Sequence, residues 1–216
     1  MTARKERLRE LAEASSACDR ARIDASLFRA LYGLPADMQL ELARVTIARF
    51  LPIFLTHYPD VTWVVPLVED PEAYYREHEQ GMPLWPEMLL CADASFDFAL
   101  CALLRAWSYV DKNELPRVTP ACCTAVIWAI GARATNAWHA DEPEVRAAFV
   151  RRDRGAFAGL TEDDNAAGRA VKQREWLLVV DWLEAHAADD YPELDEAGRA
   201  ERDRWFEWWM DRECLL

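Results

Sequence analysis

Apolar side chains recur along this chain at steps of three and four residues, the spacing that places them on one side of an α-helix. Leu8, Leu11, Ser15 and Cys18 form the first such stripe, within a predicted helix over residues 3–18. A second, over about 24–32, ends at Gly33, a residue suited to the position just past a helix C-terminus. Asp37 follows Pro35 and opens a long apolar segment with Leu40, Leu42, Val45, Ile47, Ala48, Leu51 and Phe54. Apolar positions on most faces predict a central helix, kinked or ended in its first section by Pro52. Residues 94–110 align Phe96, Leu100, Leu103, Trp107 and Val110. Thr119, ahead of Pro120, reads as the N-cap of a helix to about His139, with Cys123, Val126, Ile127, Ile130 and Ala134 inward. Asp141-Glu142-Pro143-Glu144 opens a short helix to about Arg152. Residues 165–187 hold Trp176 to Leu183, apolar nearly all round, which predicts a buried helix. The last helix, about 195–213, sets Trp205, Trp208, Trp209 and Arg212 along one side.

Residues 58–93 break this rhythm. Pro59, Pro66, Pro71, Pro83 and Pro86 interrupt them, and the β-branched run Val61-Thr62-Trp63-Val64-Val65 reads as an isolated strand or an extended loop. Asp70-Pro71-Glu72 starts a helix over about 71–79 that stops at Gly81. The prediction is an all-α protein: a helical bundle of four or five long helices with short accessory helices and a proline-broken irregular insertion at about 58–93. One domain covers 1–216, made of an N-terminal helical arm (1–34), a core bundle (35–187) that carries the insertion, and a C-terminal Trp-rich helix (188–216).

Composition agrees with a folded globule. Of the 216 residues 52% are hydrophobic and ten are tryptophan, enough large rings to bury a sizeable core. Charge narrows the partners. The net charge is −13, distributed as +2 over residues 1–34, −8 over 35–150 and −7 over 151–216. Such a surface repels phosphate backbones and anionic lipid, so neither nucleic acid nor a membrane is an expected partner; a basic protein is. The six cysteines form no CxxC pair, and Cys122-Cys123 sits in an apolar run, which predicts buried thiols in a reducing compartment. Residues 1–6 lack a secretory apolar core, and the uncharged run Ala121–Ala132 is too short to span a bilayer; a cytoplasmic protein is expected.

No motif of catalysis is present. The chain has no GxGxxG, GxxxxGK[ST], GxSxG or HExxH, and Gly155 and Gly159 lack the preceding strand of a phosphate loop. His57, His139 and His186 each fall near a predicted helix C-terminus. Three such histidines make an open metal site only if all three helix ends meet; otherwise each complements a helix dipole. Glu69, Asp70, Glu72, Glu77, His78 and Glu79 form the densest acidic cluster, with Glu72 and Glu79 seven apart and Arg76 between them. A solvated helix with ordinary ion pairs explains it more simply than general acid–base chemistry. Arg151-Arg152-Asp153-Arg154 is the one dense basic cluster of the acidic part, at a predicted helix end where cations are favoured. No catalytic residue, metal or cofactor is assigned.

Three classes remain: a protein-binding neutraliser or adaptor, a helical-bundle enzyme with a His/carboxylate site, and a structural oligomerising subunit. In general character the chain resembles bacterial polymorphic-toxin immunity proteins of the all-helical type. That resemblance implies tight binding to a secreted toxin, often basic, with the toxin's active site or substrate channel blocked. The contact surface expected on this chain is Trp63, Glu69, Asp70, Glu72, Tyr74, Tyr75, Glu77, Glu79 and Trp85, aromatic anchors with a charged surround. The charge run Asp189, Asp190, Glu193, Asp195 and Glu196 near Pro192 reads as a solvated loop. Phe206 and Met210 beside the tryptophan stripe offer a route to self-association through the C-terminal helix.

Overall fold

Eleven α-helices, one short 3-10 turn and no strand make up the described residues of the structure, a computed structural model that describes residues 3–17, 19–78, 91–151, 161–186 and 194–213. The helices are α1 (Ala3–Ser16), α2 (Arg20–Tyr32), α3 (Ala36–Ala48), α4 (Leu51–His57), α5 (Val64–Glu69), α6 (Pro71–Glu77), α7 (Cys91–Asp111), α8 (Val118–Asp141), α9 (Pro143–Val150), α10 (Ala166–His186) and α11 (Glu196–Glu213). The all-α class is therefore as expected.

The centre is α8. It packs against α7, α10, α3, α2, α9 and α11, and every residue from Ala121 to Val126 is buried. Together with the 3-10 turn before it, Leu115–Asp141 is long and apolar enough to cross a membrane, but 67% of its most apolar window lies inside the protein, as a core helix requires. The 3-10 turn Leu115–Arg117 runs straight into α8, so Thr119 is a buried residue of the first turn and not the N-cap. Pro120 is tolerated there because a first-turn N–H has no intrahelical acceptor to lose.

α7 and α8 form an antiparallel pair. Asn113, in the left-handed region at φ 56°, turns the chain, and Glu114 N–H donates to the Tyr109 carbonyl at 2.7 Å. Phe98 stacks on Trp128 across the pair, 5.0 Å between centroids. α10 is also antiparallel to α8: Asn165, at its start, donates to Asp141 (2.9 Å) and Glu142 (2.6 Å) at the end of α8. The same side chain accepts from Gly168 N–H at 2.9 Å and caps the helix.

The long segment after Pro35 is broken, as Pro52 suggested, though the break comes at Arg49-Phe50 and leaves Pro52 in the first turn of α4. Phe50 and Phe54 meet Phe96 of α7 at 5.2 and 4.9 Å. Gly33 follows α2 at φ −84°, so the left-handed conformation that favours glycine there is not used. The N-terminal arm is built into the core: α1 packs on α2 and α10, and α2 on α8. α11 is held by Trp205, which stacks on Phe28 (5.6 Å) and donates through Nε1 to Thr124 Oγ1 (3.1 Å). Tyr32 adds a hydrogen bond to Asp195 at 2.8 Å.

Two expectations are corrected. Val61–Val65 is neither strand nor extended loop; a turn leads into α5, whose Val64, Leu67 and Val68 are buried at helical spacing. α10 is not buried all round: Glu175, Trp176, Val179, Val180 and Leu183 face inward while Leu177 and Leu178 are exposed. Cys18, Arg152–Arg154, Gly155, Gly159, the run 189–193 and Cys214 lie outside the described residues, as do the side chains of Phe206, Trp208, Trp209 and Met210.

Candidate functional site

The expected contact surface falls largely on α5 and α6. Asp70 ends α5 and caps α6, its carboxylate accepting from Ala73 N–H at 3.0 Å, with Pro71 at the first helical position. α5 packs on α3 and α6 on α7, so this segment is anchored to the core. Glu69, Asp70 and Glu77 are exposed, Trp63, Glu72 and Tyr75 half-buried. Glu72 is paired with Arg76 one turn on. Glu69 and Glu77 make no ion pair among the described residues.

Tyr74 departs from the expectation. It is 4% exposed, lies beside Trp63 (6.4 Å) and stacks at 4.2 Å on His78, whose Nδ1–H donates to its carbonyl. Position 74 follows Pro71 by three, on the buried side of a helix that rests on α7, so this ring anchors α6 rather than facing a partner. Glu79 and Trp85 lie outside the described residues. Trp63, at the N-cap of α5, and Glu69, Asp70, Glu72, Tyr75 and Glu77 along α5 and α6 remain at least partly exposed within one stretch of chain.

The histidines divide. His57, at the end of α4, bonds through Nδ1 to Asp93 Oδ1 at 2.9 Å. Asp93, fully buried in the first turn of α7, has no hydrogen-bond partner for Oδ2 among the described residues. Burial raises its carboxyl pKa, and the bond to His57 opposes that. His139, 2% exposed near the end of α8, is pushed down to about 4 by burial and by Arg146 of α9, which also acts on Asp93. The ends of α4 and α8 and the start of α7 therefore gather at one end of the molecule. His186 is not there: α10 starts where α8 ends and runs away from it, leaving His186 exposed and stacked on Trp182 at 4.3 Å. The three-histidine arrangement does not form, and no group of three or more potential ligands occurs among the described residues.

Asp93 and Glu175 are among the buried charges that sequence reasoning missed. The Glu175 carboxylate, 2% exposed, binds Arg49 (2.9 Å) and Arg133 (2.7 Å), joining the end of α3, α8 and α10. Both sat on apolar stripes, where a charge is the signal: Asp93 precedes Phe96 by three, and Glu175 precedes Val179 by four. Among the described side chains, Cys122 and Cys123 are buried thiols and Cys101 is half-buried. Cys101, Cys122 and Cys123 are free, and burial pushes all three up, Cys101 to about 12 with help from Asp97, which disfavours the reactive thiolate.

Comparison with protein families, with curated proteins and with solved structures returns no match.

Proposed function

We propose that the protein is a neutraliser of the immunity type, a cytoplasmic bacterial protein that covers a basic toxin domain with its α5–α6 face. One observation carries this reading: exposed Glu69 and Glu77, with no ion pair among the described residues, and half-exposed Trp63 and Tyr75 fall within one short stretch of chain that Val64, Leu67, Val68 and Tyr74 fix to the core. A rigid aromatic and acidic surface loses little entropy on binding and steers a cation-rich partner toward it. The net charge of −13 favours the same partner. The test is titration calorimetry against basic toxin domains of the source organism, at low and high salt. Glu69→Lys with Glu77→Lys should weaken binding at least about tenfold, the scale of buried or well-placed charge pairs, and leave the melting temperature unchanged. An unaltered Kd would remove this face, and no binding at all would remove the reading.

A second reading is favoured by His57 and Asp93. A carboxylate bonded to Nδ1 orients the ring and leaves Nε2 to take a proton, the layout of a general base. Turnover of ester, amide or phosphoester probes that is lost in His57→Gln and Asp93→Asn would support an enzyme; identical behaviour of the three proteins would exclude one built on this pair.

A further inference from the structure

The outward side of α10 carries an ordered pattern that the core does not use. Leu177 and Leu178 are 49% and 37% exposed in the middle of the helix. Arg174 lies three residues before Leu177, and Asp181 lies three residues after Leu178; both are exposed. Ala170 lies seven before Leu177 and Ala185 seven after Leu178, and both are exposed as well. Measured from the Leu177–Leu178 bond, these six positions are symmetric in size and opposite in charge, while exposed Glu184 has Val171 as its counterpart. Single exposed leucines are ordinary on a protein surface, but two adjacent ones flanked in this way form an arranged patch.

Arg174 and Asp181 cannot neutralise each other. They stand two turns apart on one helix, about 10 Å along its axis. Neither makes an ion pair among the described residues. A second copy of the chain, rotated about a two-fold axis through the Leu177–Leu178 bond, satisfies both at once. Arg174 then faces Asp181 of the second copy, and Asp181 faces its Arg174. The leucines interdigitate between the two ion pairs, and the alanines at each end let the backbones come close. A parallel pairing sets Arg174 against Arg174, and a slip of one turn sets a leucine against a charge, so the pattern selects one orientation and one register.

We propose that α10 is a self-association face, through which two copies pair antiparallel about the Leu177–Leu178 bond. The stripe is about 22 Å long and one helix wide, smaller than the ~1,600 Å² of a standard interface. The dimer is therefore weak and reversible, with Kd on the order of 10–100 μM. It uses none of the α5–α6 residues and stands apart from the neutraliser reading.

Sedimentation equilibrium from about 10 μM to about 1 mM protein, at about 50 mM and about 500 mM salt, tests it. The expected result is a concentration-dependent dimer at either salt, because high salt screens the two facing ion pairs and also the mutual repulsion of two chains of net charge −13. Arg174→Asp alone and Asp181→Arg alone should each be monomeric where the wild type is dimeric, because each homodimer then repeats like charges. An equimolar mixture of the two variants should dimerise, since every facing pair is then opposite in sign, and the double variant Arg174→Asp/Asp181→Arg should dimerise by itself. A wild type that stays monomeric to 1 mM overturns the proposal and leaves the face to a different protein. A dimer that ignores the single reversals, or variants that do not recover on mixing, overturns this face and register.

Discussion

Replacing Glu175 by glutamine keeps the shape of the side chain and removes its charge. In the wild type that carboxylate lies between Arg49 and Arg133, and Arg133 also donates to the backbone carbonyl of Arg49 at 2.6 Å, where α3 gives way to α4. The amide retains one acceptor and turns an N–H₂ toward the other guanidinium, which loses its partner. Breaking a fully buried pair costs about 3–5 kcal/mol. The arginines here are 22% and 26% exposed, so water recovers part of that. The expected loss is about 2–3 kcal/mol, or about 5–10 °C in Tm for a chain of this size. Urea unfolding followed by circular dichroism measures it, with the m-value unchanged. Replacing all three charges with apolar residues, Arg49→Met, Arg133→Met and Glu175→Leu, should cost less than Glu175→Gln, because no unpaired charge stays buried and the Arg49 carbonyl is the acceptor left without its Arg133 donor. A loss below about 1 kcal/mol for Glu175→Gln would refute the view that this cluster ties α3, α8 and α10 together.

Further predictions concern stability at separate sites. The unfolded chain protonates His139 near pH 6.5 and the folded protein only at about 4, so its contribution is complete above pH 6.5 and is lost as pH falls toward 4. The loss is on the order of 3 kcal/mol and should vanish in His139→Leu, measured by denaturation across pH; equal slopes in both proteins would contradict it. Asp93, raised by burial, works with the opposite sign and only as pH approaches the carboxylate range. A Cβ at position 168 would stand 2.4 Å from the Glu162 carbonyl oxygen, so Gly168→Ala should cost about 1–3 kcal/mol in urea unfolding. Trp205→Phe keeps a ring on Phe28 and loses the bond to Thr124, and equilibrium unfolding should report about 1 kcal/mol.

Most helices are legible because their apolar positions repeat at the helical period, which local sequence alone determines. The failures have identifiable causes. The β-branched run at 61–65 suggests extended backbone, but Val64, Leu67 and Val68 share the spacing of a buried helical face, and burial against α3 prevails. The apolar run in α10 concealed its outer face, although Arg174 and Asp181 marked it on either side of Leu177 and Leu178. His57 and Asp93 meet across 36 residues, and Arg49 and Glu175 across 126; only tertiary structure makes those pairs. Of the expected contact surface, sequence correctly marked Asp70-Pro71 as a helix start and could not see that Tyr74 turns inward.

The bond from Tyr32 to Asp195 joins residues 163 apart in the chain. At a synthesis rate of about 5–20 residues per second, α2 leaves the ribosome roughly 8–30 s before the helix that covers it exists. Throughout that interval the Phe28 and Tyr32 rings have no Trp205 or Gly198 against them. A nascent chain of this protein therefore presents an aromatic face early in its life, the kind of surface a ribosome-associated chaperone holds, and gives it up only when α11 arrives.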